Sequence, residues 1–263
     1  MKKLYSLLKT FLIYSSTPLR IFLVLLLIII GIIILKKTNN ESNIITIINI
    51  TFKLIMFLMS LKIIISNEDY VKYMNYLYSE NKFICIFNHT TLIDGPLLFS
   101  VFPRMGIVLS NRKEFDYISF NKKAINKMGC IPLINNKKNG VTNIIKNKLN
   151  NRKIGDPIIF IAPCTGLPPD NPGNISNFKK NGAFVNKSKI LPIIIKYEDD
   201  TLNYNFNYKE SIINAYIKLF LVENYKIKIK VGDMIYPNDN ESIEEYKNRV
   251  YKLMNEQYKE IKI

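Results

Sequence analysis

Histidine occurs once in this chain of 263 residues, at position 89, and cysteine three times, at 85, 130 and 164. Three thiols so far apart contain no Cys-x-x-Cys pair and leave one over in any disulfide scheme, which argues against structural zinc and against a disulfide scaffold. Free thiols point to a reducing compartment. Acidic residues are also in short supply: 21 Asp and Glu stand against 37 Lys and Arg, a formal charge of +16. So basic a chain suits nucleic acid, an anionic membrane face or an acidic ligand. Charge alone speaks for nucleic acid, since no helix-turn-helix, zinc or RNP pattern accompanies it, and nucleic acid is not expected as a partner. Lys, Asn, Ile and Tyr are spread along the whole chain, so most lysines read as solvated surface. No internal repeat is visible. With 48% hydrophobic residues the chain can bury a core, and its length suits one α/β domain plus an anchor.

Two long apolar segments lie at the start. Leu4, Leu7, Leu8, Phe11 and Leu12 follow the stripe of an amphipathic helix, with Lys2, Lys3 and Lys9 off it. Such a helix suits a membrane interface. Between Arg20 and Lys36 no residue is charged, and almost all are Ile, Leu or Val. The run is close to the lower limit for a span, about 17 residues. Lys36 and Lys37 stand where a signal peptide would carry its small-residue cleavage site. Residues 44–65 form a second apolar stretch, interrupted by Lys53 and Lys62. The two segments predict a helical hairpin, and a shallow monotopic hairpin fits the lengths as well as two crossings. Residues 1–66 are therefore expected to be a membrane anchor, and residues 67–263 the soluble domain. Basic residues flank both segments, so the positive-inside rule leaves orientation open.

From about residue 80 the pattern changes to alternating strands and helices. Strands are expected at Phe83–Phe87, 107–109, 131–134, 158–162, 190–197 and Tyr225–Val231. Helices are expected over 112–127 and around Val141, Ile144, Ile145 and Leu149. A last helix begins near Ser242, where Ser242 and Glu245 make a capping box. Alternation of this kind predicts a mixed or mostly parallel sheet with helices on its faces. Ligands of such folds bind at the carboxyl ends of the strands, where the irregular stretch 163–173 also belongs.

The single histidine follows one of these strands directly after Asn88, and Asp94 comes five residues later. On one regular helix, residues so spaced point well apart. His89 in the turn and Asp94 in the first helical turn can meet. The carboxylate then holds one imidazole nitrogen, and the pair suits a general base acting on a hydroxyl. A lone histidine in an arbitrary chain more often caps a buried turn, so the surrounding residues decide.

Those residues resemble, in order, the motifs of the glycerolphosphate and lysophosphatidic acid acyltransferase family. His89-x4-Asp94 is similar to its first motif. Arg112-Lys113-Glu114-Phe115 resembles the basic segment that follows. Gly129-Cys130-Ile131-Pro132-Leu133 resembles the second motif, and Ala162-Pro163-Cys164-Thr165-Gly166 falls where the third, Phe-Pro-Glu-Gly-Thr-Arg, belongs. Phe178-Lys179-Lys180-Asn181-Gly182-Ala183-Phe184 looks like the family's Phe-Lys-Lys-Gly-Ala-Phe with Asn181 inserted. Ile190-Leu191-Pro192-Ile193 resembles the fourth motif, and Gly232-Asp233-Met234-Ile235 loosely matches a late Gly-x-Pro-Ile element. The likeness runs from about residue 80 to the C-terminus.

The resemblance implies an α/β sandwich of the glycerolphosphate acyltransferase type behind a two-helix membrane anchor. It implies an O-acyltransferase with His89 and Asp94 as the catalytic pair, acyl-CoA or acyl-carrier protein as thioester donor, a lysophospholipid acceptor and no metal or cofactor. The catalytic domain is expected on the cytosolic face of a membrane. Where the family carries an acidic residue and an Arg after the second motif, this chain has Ile134 and Asn135. The third motif's Glu and Arg correspond to Cys164 and Leu167. Those family groups grip the acceptor's glycerol phosphate, so lysophosphatidic acid itself is a less secure acceptor. Candidate substrate-binding positions are Arg112, Lys113, Asn135, Lys137, Lys138, Cys164, Thr165, Gly166, Lys179 and Lys180. Lysine can hold phosphate as a point charge. Cys164 has no second histidine to activate it as a nucleophile. Two rivals to the enzyme are a lipid-binding relative without turnover and a basic nucleic-acid-binding protein.

Overall fold

The computed structural model describes residues 2–38, 40–80, 82–109, 130–132, 138–164, 173–179, 182–184, 186–203 and 212–263. Helices α1 (Lys2–Lys37) and α2 (Glu41–Leu58) come first, then strand β1 (Leu61–Ile65) and helix α3 (Asn67–Ser79). The middle of the chain supplies β2 (Phe83–Phe87), α4 (Asp94–Val101), β3 (Met105–Leu109), β4 (Ile131–Pro132), α5 (Lys138–Asn151) and β5 (Ile158–Ile161). The last part supplies β6 (Lys189–Tyr197), α6 (Ile212–Leu221), β7 (Tyr225–Val231) and α7 (Ile243–Glu260).

The strands form one mixed sheet in the order β1-β7-β6-β2-β5-β3-β4. β6 and β7 are antiparallel, and the other neighbouring pairs are parallel. Side chains alternate between two cores, as the period of a strand requires. Phe83, Cys85 and Phe87 of β2 face a layer containing α2, α3, α4 and α6, whereas Ile84 and Ile86 face α5 and α7. β2 lies between β5 and β6, although the chain reaches β3 and β4 before β5. The chain thus reverses direction across the sheet beside β2, and open α/β sheets bind their ligands at such a switch point, beyond the carboxyl ends of the strands.

The expected strands at 107–109, 158–162, 190–197 and 225–231 correspond to β3, β5, β6 and β7. α7 starts at the expected capping box, with the Ser242 hydroxyl accepting from the Glu245 N–H. Only Ile131 and Pro132 of the strand expected at 131–134, and none of the helix expected over 112–127, fall within the described residues. The second apolar stretch departs from a single helix. α2 ends at Leu58, Ser60 takes a left-handed φ of 54°, and β1 follows. Three consecutive isoleucines, Ile63 to Ile65, are branched at Cβ and favour a strand, and pairing with β7 gives it a partner. Residues 61–65, on the anchor side of the boundary expected at 66, are therefore part of the sheet. Ser66 then caps α3, accepting from the Asp69 N–H at 3.0 Å.

α2 is fastened along the domain, with Asn49 donating to the Phe99 and Ser100 carbonyls at the end of α4. α1 lies outside it. Arg20 donates to the Leu58 carbonyl at 2.6 Å and, with Thr17, to the Phe220 carbonyl, so one residue of α1 joins the last turns of α2 and α6. Ser15–Leu35 is 21 residues long and apolar enough to cross a membrane, and little of it is buried. Phe22, Leu25 and Ile29 are each more than half exposed, and Ile50 and Phe57 of α2 are exposed with them. Apolar surface this continuous marks an interaction site. The full-length chain is expected in the membrane pellet after a carbonate wash. Replacing both Leu25 and Ile29 with Asp should release it, and a wild-type chain recovered only in the supernatant would contradict the anchor.

Candidate active site

Three adjacent parallel strands turn their carboxyl ends to the same edge of the sheet, and each contributes to one cluster of side chains. β2 runs into Asn88 and His89, β5 into Cys164, and β6 ends in Tyr197. His89 lies in the turn after β2, and Asp94 is the first residue of α4. Their side chains meet, with the His89 Nδ1 2.7 Å from Asp94 Oδ2. The same oxygen accepts the main-chain N–H groups of Thr90 at 2.8 Å and Thr91 at 3.0 Å. The five-residue spacing works because the turn folds back over the helix start, where N–H groups lack partners within the helix. The His89 side chain is 26% exposed and that of Asp94 has no exposed surface. The imidazole thus reaches solvent while its carboxylate does not. Phe87 packs edge-on against the ring at 6.0 Å between centroids.

Tyr197 completes the carboxylate, its hydroxyl donating to Asp94 Oδ1. Burial, and then the neighbouring Asp94, push this phenol well above its ordinary range, so it remains a donor at physiological pH. Asn88 supplies a second link between β2 and β6. Its amide donates to the Ile195 carbonyl at 2.7 Å and accepts the Ile195 N–H at 2.8 Å, and the side chain is almost wholly buried. The amide so replaces a rung of sheet pairing where β2 has ended.

Cys164 is buried, and its sulfur accepts the His89 N–H at 3.2 Å and faces the His89 carbonyl at 3.8 Å. It supports the backbone of the histidine turn. Lys179 is exposed, and its N–H donates to the Pro163 carbonyl, which holds that segment beside the end of β5. Arg112, Lys113, Asn135, Lys137, Thr165, Gly166 and Lys180 lie outside the described residues, as does the side chain of Lys138. The contributions of Tyr197 and Asn88 carry no sequence signal. Both depend on which strands become neighbours, and Tyr197 stands 103 positions from its partner. Among the described residues no cluster of three or more His, Cys, Asp or Glu could hold a metal ion.

A protein-family model described as Acyltransferase matches residues 63–196, which include β2, β5 and most of β6. No curated protein matches. Among solved structures, the fold is similar to that of the 1-acyl-sn-glycerophosphate (LPA) acyltransferase PlsC from Thermotoga maritima. The TM-score is 0.59 and the identity 16%, over 99% of this chain and 100% of the other.

The Asn88 link predicts a stability effect. Asn88→Ala leaves the N–H and carbonyl of Ile195 buried without these partners, and each unsatisfied group costs about 1–3 kcal/mol. Denaturant unfolding in detergent should show a loss of about 2–6 kcal/mol, and an unchanged midpoint would show the amide to be dispensable.

Proposed function

The chain belongs to the acyltransferase family, and on that footing we propose that it transfers a fatty acyl group from a thioester to a hydroxyl of a lysophospholipid at a membrane. The observation that carries the reading is the His89–Asp94 pair at 2.7 Å, with a part-exposed imidazole and a buried carboxylate, inside the family-matched segment. Asp94 occupies Nδ1, so Nε2 is the nitrogen that takes the proton. The acceptor oxygen loses its proton to Nε2 as it attacks the thioester carbonyl. The tetrahedral intermediate then expels the thiolate, which recovers the proton from the imidazolium, leaving an ester and a free thiol. A thiol has an ordinary pKa of about 8.5, so the leaving group needs little acid assistance. A positioned base contributes about 10²–10⁴-fold, and orientation and stabilisation of the oxyanion supply the rest.

The donor is acyl-CoA or an acyl-carrier protein, and no metal enters the scheme. The exposed apolar surface of α1 supports a site that draws its acceptor from the bilayer, and three cysteines outside any disulfide support the cytosolic face. The similar Thermotoga protein is named for lysophosphatidic acid. This chain carries Asn135, Cys164 and Leu167 where the family aligns groups on a glycerol phosphate. The Cys164 thiol faces the His89 backbone, and a lysine cannot reproduce a bidentate guanidinium. A lost hydrogen bond to a charged group is worth about 1.5–3 kcal/mol, roughly ten- to a hundredfold.

Two measurements test the reading. His89→Ala should abolish acyl-CoA consumption over a lysophospholipid panel while the fold survives, and wild-type turnover in that variant would refute the mechanism. In direct competition, lysophosphatidic acid should gain little or no advantage over lysophosphatidylethanolamine or lysophosphatidylcholine. A hundredfold preference for lysophosphatidic acid would instead place a phosphate site in other basic residues, with Lys137 and Lys138 the first to replace.

A further inference from the structure

We propose that Tyr197 is a positioning residue for acyl transfer, its hydroxyl fixing the Asp94 carboxylate so that the His89 imidazole points at the acceptor. The proposal rests on the function read above and adds to it a residue outside the resemblance motifs.

The hydrogen bonds on Asp94 are unevenly distributed. Oδ2 takes the His89 Nδ1, the Thr90 N–H and the Thr91 N–H, all from the turn that carries the histidine. Three donors from one short segment hold the carboxylate to that segment and leave the segment's own placement open. Oδ1 is met by Tyr197, which belongs to another strand. The Asp94 side chain has no exposed surface, so Oδ1 depends on a protein donor. Tyr197 suits the task in three ways. The residue pairs with Ile227 of β7, and its ring packs beside that of Tyr225, 6.4 Å away between centroids. Its strand is tied to β2 by the two Asn88 bonds, so the donor and the histidine turn share one frame. Its phenol, pushed up by burial, donates a hydrogen bond without giving away its proton. The carboxylate is thereby gripped from two directions, and rotation about its Cβ–Cγ bond would break a bond at each oxygen.

Tyr197→Phe removes one oxygen atom and keeps the ring. Losing a hydrogen bond to a charged group predicts a drop in kcat of about ten- to a hundredfold. KM for donor and acceptor should stay within about twofold, because neither substrate meets this hydroxyl. A residue acting through Asp94 has no effect once Asp94 is gone. In an Asp94→Ala background, Tyr197→Phe should therefore change nothing further, whereas a merely structural role would lower activity by the same factor in both backgrounds. A second readout needs no turnover. The chain has one histidine, so its imidazole gives an unambiguous signal in a spectrum of isotope-labelled protein in detergent. Tyr197→Phe should move the Nδ1 proton resonance, and Asp94→Ala should abolish that dependence.

The outcomes separate the two readings. Wild-type turnover in His89→Ala removes the proposed function. Turnover lost in His89→Ala but wild-type kcat and an unshifted imidazole resonance in Tyr197→Phe leaves the function standing and overturns the role of Tyr197. If no acceptor in the panel is used, the resonance decides: a shift that depends on Asp94 supports the proposal, and an unshifted resonance overturns it.

Discussion

A carboxyl group with no exposed surface needs a hydrogen-bond partner at each oxygen, and around Asp94 that requirement organises the site. Meeting it brings together the turn after β2, the first turn of α4 and the end of β6. None of these pieces can shift alone without stranding a buried oxygen. The sheet makes the arrangement possible, because β6, β2 and β5 are adjacent and parallel and so turn their carboxyl ends to the same edge of the sheet. The imidazole stands at the border between this dry arrangement and solvent. Its orientation is set from the buried side, and the exposed part of the ring faces the other way.

Most of the scaffold was legible because it obeys simple periodicities. The fully apolar runs of β2 and β5 declare buried strands, and Tyr225–Val231 alternates lysine with hydrophobic residues as a half-buried strand should. The start of α7 is written in Ser242 and Glu245. The first motif was legible through its one histidine and the spacing to Asp94. The pairing of strands was not. β1 hid inside an apolar stretch that also suits a helix, and what separates them is the turn at Ser60 and the offer of an edge on β7. Tyr197, Asn88 and the sulfur of Cys164 enter the site through the same unread information. Their partners are fixed by strand order, and strand order leaves no local trace.

Cys164 illustrates how a motif position can change its work. A buried thiol turned to the main chain of His89 is small, weakly polar and suited to packing. It cannot reach outward as a carboxylate would. The His89 turn thus remains supported from β5, by a side chain that carries no charge to present outward.

Arg20 gives the molecule a fulcrum. Its guanidinium joins the carbonyl ends of α2 and α6 midway along a 36-residue helix, close to the proline at position 18. The helix extends on both sides of this point as two arms. A lateral displacement of either arm is delivered to two helices of the domain at once. Were the exposed arm seated in an apolar layer, the elevation and tilt of the domain would be set by that arm. A substrate drawn from such a layer would then meet the His89 turn at a set angle, and the search for it would be a matter of sliding in a plane.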